Sequence, residues 1–224
     1  MVRTWPFLLT VTLALLSGYI DTAVFVYMGG LFVAHVTGNF VLIGAALTAD
    51  TAAMHGQATS LQLLSFPIFM ASAFTTAVLC RWKRLVNEKL GLLWTFILLT
   101  LAAALASHFN LASDELVCLT LVAAMGLLNA FQKLDPNMGS PFTVMTGNVT
   151  AIAVNLGQAI FKDADDQSTP APSVRKPLIL ALSFSIGCVG GAIGQSLSGL
   201  TSVALPSMVL GAALSLRMLR NSAA

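Results

Sequence analysis

The stretch MGGLFVAHVTGNFVLIGAAL, residues 28–47, is the one on which the fold turns. Its centre is the triplet Thr37-Gly38-Asn39, which returns as Thr146-Gly147-Asn148 inside MGSPFTVMTGNVTAIAVNLGQAIF, residues 138–161. Each copy opens on Met-Gly, runs through apolar residues to the triplet, and continues with an apolar helical pattern. Thr or Asn beside Gly just ahead of such a pattern reads as a helix start. Both starts fall inside long apolar runs. A helix that begins within a membrane exposes N–H groups without intrahelical partners, and such ends usually serve a site.

The chain has 224 residues, of which 57% are hydrophobic and only 9% charged, and its mean hydropathy is +0.85. A soluble domain carries about 25% charged residues, so this is an integral membrane protein by composition. The net charge of +2 is too small to point to nucleic acid. Cys80, Cys118 and Cys188 are odd in number and far apart, and read as small packing residues. His35, His55 and His108 lack metal-ligand spacing, so neither a metal nor a cofactor is expected. Arg3 followed by apolar Trp5–Leu16 has the outline of a signal peptide. Apolar sequence continues to Leu47 without a small-x-small cleavage site, which makes it a retained first span.

Six stretches are long enough to cross: Trp5–Tyr27, Leu61–Cys80, Leu90–Ser107, Leu116–Gln132, Pro177–Leu197 and Leu200–Met218. The first, of about 23 residues, gives roughly 34 Å of helix against a hydrocarbon core of about 30 Å. Pro67 marks a kink in the second, and the loop Asp163–Ser173 is the one segment expected to be flexible. The order span, triplet stretch, loop, span, span occurs twice, dividing a single membrane domain into residues 1–112 and 113–224. The triplets lie 109 positions apart, and Gly18-Tyr19-Ile20-Asp21 matches Gly126-Leu127-Leu128-Asn129 at an offset of 108. Shared order and two aligned motifs read as an internal repeat.

Whether the triplet stretches cross the membrane is decided by charge. If both cross, there are eight spans, and the eleven Lys and Arg residues split six inside and five outside. If both dip in and return, there are six spans and all eleven fall inside, as the positive-inside rule requires. The outer loops Thr48–Ser60, Asn110–Glu115 and around Ser198-Gly199 then hold none. Three spans per half force the halves into opposite orientation. The expected architecture is therefore all-α: six transmembrane helices plus two re-entrant half-helices in a 3+3 inverted repeat. The half-helix N-termini would meet near the midplane, and both chain termini would be cytoplasmic.

Facing half-helix N-termini in an inverted repeat are a transport architecture. Their partial positive charge and free donors suit an anion or a polar dipole. The expected substrate-binding residues are Thr37, Gly38, Asn39, Thr146, Gly147, Asn148 and Asn129, with the glycines admitting a ligand to the backbone. Asp21 is the only carboxylate deep within an apolar run, at a cost of roughly 2.5–3.5 kcal/mol on insertion scales. It is a candidate proton carrier, or else an internal cap for the neighbouring half-helix. Its repeat counterpart, Asn129, is uncharged. His35 has no counterpart, since Val144 stands there, and reads as a core or cavity-lining residue. Gly187, Gly190, Gly191 and Gly194 mark a closely packed helix face, within the protein or in a homo-oligomer.

The expected function is transport or channelling of a small polar or anionic solute across a lipid bilayer, with Asp21 coupling to protons. The alternatives are a non-transporting scaffold or partner subunit, and an unrecognised intramembrane enzyme. Aspartyl chemistry needs two acids, but Asn129 stands where the second would be. Ser196 has no base at hand and no nucleophile motif, so the reading is non-enzymatic.

With Gly18-Tyr19-Ile20-Asp21, His35-Val36-Thr37-Gly38-Asn39, Met125-Gly126-Leu127-Leu128-Asn129-Ala130 and Met145-Thr146-Gly147-Asn148, the chain resembles the YoaK-type family of bacterial membrane proteins. The resemblance covers nearly the whole length. It implies a multi-pass protein of the bacterial inner membrane and carries no activity.

Overall fold

The computed structural model describes residues 5–48, 57–83, 88–138, 143, 145–160 and 173–222. Most of the segment Asp163–Ser173, together with Gly139 and Pro141, lies outside the described residues. The chain forms helices α1 (Trp5–Met28), α2 (Val36–Thr48), α3 (Gln57–Lys83), α4 (Glu88–His108), α5 (Asp114–Leu134), α6 (Met145–Ile160), α7 (Arg175–Ser198) and α8 (Ala204–Ser222). Short 3-10 turns at Pro136–Met138 and Gly199–Val203 follow α5 and α7. No strand occurs among the described residues.

The local causes are legible. Ser113 caps α5 by accepting a hydrogen bond from the Leu116 N–H, and Asp114 and Glu115 place negative charge in the first turn. At the other end of α1, the Gly30 N–H reaches back to the Phe25 carbonyl at 2.9 Å. Gly29 sits at φ +65° and Gly30 at φ +128°. This is a Schellman-type stop, and it turns the chain back on itself. Pro67 lies inside a continuous α3. Both triplet helices begin one residue earlier than the triplets imply, at Val36 and Met145. Thr37 and Thr146 therefore stand inside the first turn and not ahead of it.

Packing pairs each half with the other. α1 lies along α7 and α5 along α3, while α2 rests on α3 and α6 on α7. Glycines permit the contact. A Cβ on Gly18 of α1 would strike the Phe184 carbonyl of α7. One on Gly126 of α5 would lie 2.6 Å from the Phe69 carbonyl of α3. Gly187 and Gly191 abut the Leu15 and Tyr19 carbonyls, and Gly190 and Gly194 meet the Tyr19 side chain. That face of α7 is filled by α1 of the same chain, so it is not free for a second copy.

α1 and α5 run in opposite directions. The Tyr27 hydroxyl near the end of α1 donates to Asp114 Oδ2 at the start of α5, at 2.9 Å. At the opposite end Thr10 of α1 contacts Met138, just past α5, with its hydroxyl 3.4 Å from the carbonyl oxygen. Arg217 of α8 stacks over the Trp5 ring at 4.4 Å, which brings the ends of the first and last helices together.

Apolar side chains cover the outside as well as the core. On α7, Leu182, Ile186, Val189 and Ile193 are exposed, and on α3 so are Leu63, Met70 and Phe74. Among the described residues five apolar stretches are long enough to cross a bilayer, the last of them, Arg175–Arg220, containing both α7 and α8. An apolar exterior around long, glycine-packed helices makes this an α-helical, multi-pass membrane protein. α2 and α6 differ from the rest: 13 and 16 residues correspond to about 20 Å and 24 Å, short of a core about 30 Å thick.

Candidate functional site

The non-helical segment between α1 and α2, residues 29–35, is held by side chains from three helices. Asp21, one-third of the way back along α1, is 4% exposed. Its Oδ1 accepts from the Val33 and Ala34 N–H groups, each at 2.7 Å. These bonds draw the segment back alongside the helix it has just left. Both donors precede α2, which begins at Val36, so the carboxylate fixes the segment that leads into the short helix.

Asn39, on α2, reaches back across the same segment. Its Oδ1 accepts from the Phe32 N–H at 2.9 Å, and its Nδ2 donates to the Phe32 carbonyl at 2.8 Å and to Ser65 Oγ at 2.8 Å. The amide thus pairs with Phe32 as a neighbouring strand would, and it is buried at 1% exposure. From α3, Gln62 Nε2 donates to the Gly30 carbonyl at 2.6 Å. Nor is Gly38 an opening to the backbone: a Cβ there would lie 2.9 Å from the Phe32 ring.

Ahead of α6, Thr143 is the one described residue of 139–144. Asn129 stands where Asp21 does, and its Oδ1 accepts from Thr143 Oγ1 at 2.6 Å. Thr143 occupies the place of Ala34 in the first copy. Thr37, Thr146 and Gly147 are exposed, and nothing lies within 4 Å of a Cβ built on Gly147. Asn148 is buried, with its Nδ2 at 3.6 Å from Met145 Sδ.

His35, directly ahead of α2, completes the first break. His35 Nδ1 lies 2.6 Å from Asp21 Oδ2. The Phe184 ring of α7 stands edge-on to the imidazole at 5.5 Å. The His35 side chain is 29% exposed, against 5% for Asp21, so the buried carboxylate communicates with accessible space through the imidazole. The arrangement sets a carboxylate and an imidazole in hydrogen-bond contact at the break between α1 and α2.

Sequence reasoning did not find His35, Gln62, Ser65 or Thr143. A signal existed for His35, a titratable residue in an apolar run. The sequence reads it as a core or cavity-lining residue without a shared role, since Val144 stands at the matching position. No comparable signal marked Ser65 or Gln62, polar residues at the margin of an apolar helix.

A family model described as "Protein of unknown function (DUF1275)" matches residues 9–216. The chain belongs to this family. The match takes in both breaks and all eight helices of this DUF1275 member, except the ends of α1 and α8. Comparison with curated proteins and with solved structures returned no match.

Proposed function

We propose that the protein transports or channels a small polar or anionic solute across the bacterial inner membrane, with proton coupling through Asp21. The observation that carries the reading is a buried carboxylate bonded to an imidazole at the break between α1 and α2. An intramembrane acid with a titratable partner is a functional site by default, and discontinuous helices are where transporters place it. The YoaK-type likeness is compatible with the family and adds no activity to it.

In this reading α2 and α6 enter and leave on one side each, giving six spans in a 3+3 inverted repeat. Three pairs of contacts support the repeat. α1 on α7 answers α5 on α3; Gly18 on the Phe184 carbonyl answers Gly126 on the Phe69 carbonyl; Asp21 bonded to Ala34 answers Asn129 bonded to Thr143. The antiparallel course of α1 and α5 supports the inversion, and the Trp5–Arg217 contact supports both termini on the cytoplasmic side. Thr37, Thr146 and Gly147 form the open part of the binding site, while Asn39 and Gly38 shape it from behind. Cysteines at Arg81 and Asn110 should label from the cytoplasm and from outside respectively; the reverse pattern indicates eight spans.

The test is flux in proteoliposomes for a panel of small anions and neutral polar solutes, with Asp21→Asn as the paired variant. Solute flux that Asp21→Asn abolishes or uncouples from the proton gradient supports the reading. A folded protein without flux for any solute favours a non-transporting partner subunit instead. The wide exposure of α6, whose one buried residue is Asn148, would then be a surface for that partner.

A further inference from the structure

Where α3 ends, α4 begins and α5 ends, the three helices enclose a cavity of about 500 Å³, within the range of roughly 300–1,000 Å³ usual for small-ligand sites. Its apolar wall is Ala77 of α3, Leu92 of α4, and Phe131 and Leu134 of α5. Its charged wall is Arg81 of α3 and Asp135, the residue that closes α5. The two kinds of wall are layered along the helix axes. Ala77 to Arg81 and Phe131 to Asp135 are four residues each, so both helices pass from an apolar side chain to a charged one over about 6 Å. α3 and α5 run in the same direction, with the Ser72 hydroxyl donating to the Ala123 carbonyl at 2.6 Å farther back. Arg81 and Asp135 therefore stand on one level, and the apolar residues on the level beneath.

The cavity opens beside the apolar outside of the protein. Leu134 in its wall is exposed, as are Val78 and Leu79 next to it on α3. Arg81 is exposed and Asp135 buried. The Asp135 backbone is fixed on both sides, its N–H on the Phe131 carbonyl at 3.0 Å and its carbonyl accepting from the Met138 N–H at 3.1 Å. Met138 in turn contacts Thr10 of α1. The charged layer thus lies near the end at which the first span starts, the depth of lipid headgroups rather than of hydrocarbon.

We propose that this cavity binds one phospholipid bearing a primary ammonium, phosphatidylethanolamine. An acyl chain lies against Ala77, Leu92, Phe131 and Leu134, the phosphate takes the Arg81 guanidinium, and the ammonium donates to the Asp135 carboxylate. Pockets between membrane helices with a cation at the headgroup level are lipid sites. Arginine offers a phosphate two parallel N–H bonds, and an ammonium–carboxylate bond is likewise charge-assisted. Opposite charges on one level match a headgroup that carries both. A phosphate without the ammonium meets Asp135 unfavourably, and a choline headgroup has no N–H to give it. The apolar layer beneath, open beside the lipid-facing surface, selects a lipid over a water-soluble phosphoester. The site is independent of the transport reading and involves neither Asp21 nor the triplets.

Full-length protein in detergent micelles is titrated with phosphatidylethanolamine, phosphatidylcholine and phosphatidylglycerol of the same acyl chains, and native mass spectrometry counts the lipids bound per chain. The expected result is one phosphatidylethanolamine bound about tenfold more tightly than either of the others, the worth of one charge-assisted hydrogen bond. Arg81→Gln, at an exposed position, should weaken all three lipids, and Asp135→Asn should bring the three close to equal. Glycerophosphoethanolamine, the same headgroup without chains, should not compete. Equal binding of the three lipids by the wild type, or tighter binding of phosphatidylglycerol, overturns the proposal. So does effective competition by glycerophosphoethanolamine, or a wild-type preference that survives in both variants. Should Asp135→Asn fail to fold, the wild-type preference and the Arg81→Gln comparison still decide.

Discussion

Replacing Asn39 with alanine removes three hydrogen bonds at once: from the Phe32 N–H, to the Phe32 carbonyl and to Ser65 Oγ. Ser65 is not stranded, because its hydroxyl still donates to the Gln62 carbonyl at 2.6 Å. The groups left without partners are the N–H and C=O of Phe32, within a non-helical segment. Each unsatisfied buried polar group costs about 1–3 kcal/mol, so the pair costs about 2–6 kcal/mol. Phe32 is only half-buried, and a chain unfolded within a membrane finds other partners, so the value falls near the lower end, about 2 kcal/mol. Ser65→Ala takes away only one acceptor and should cost about 1 kcal/mol. Equilibrium unfolding in mixed micelles, followed by helix content against detergent composition, measures both. An Asn39→Ala protein within about 0.5 kcal/mol of wild type, the range of neutral surface substitutions, would refute this account of the first break. If that stable variant had also lost flux, Asn39 would be a solute ligand, as the triplet on its own implies.

Two further substitutions test the packing. Gly191→Val thrusts a branched side chain into the Tyr19 backbone and should separate α1 from α7, seen as loss of a monodisperse peak in size-exclusion chromatography. Gly44→Ala, where nothing lies within 4 Å of the added methyl, should leave that peak intact and raise stability by about 0.5–1 kcal/mol, since alanine is the better helix former. Tyr27→Phe deletes the hydrogen bond to Asp114 at an exposed helix end. It should lower stability by no more than about 1 kcal/mol, and a larger loss in the same unfolding assay would mean that the α1–α5 end contact is a major tie.

How much of this was written in the chain differs from helix to helix. Trp5–Tyr27 was legible as the first span and is helix from Trp5 to Met28, because a long apolar run has no other way to satisfy its backbone in lipid. Gly29 and Gly30 were legible as a place where helix geometry ends, and they do turn the chain. The triplets were legible as sites near helix starts, but their roles were not. Asn39, read as a solute ligand, is bonded to Phe32 and Ser65, and His35, read as a core or cavity-lining residue, is bonded to Asp21.

Hydropathy, glycine placement and the distribution of Lys and Arg act residue by residue along the chain, and the sequence by itself therefore determined that this is a helical membrane protein with two short helices among long ones. Which helix lies on which was decided only by the tertiary structure. Gly18 finds the carbonyl of Phe184, and Gly126 that of Phe69, across separations at which linear pattern carries no information. A hydrogen bond or a close backbone approach depends on ångström distances between those distant residues, and packing alone sets such distances.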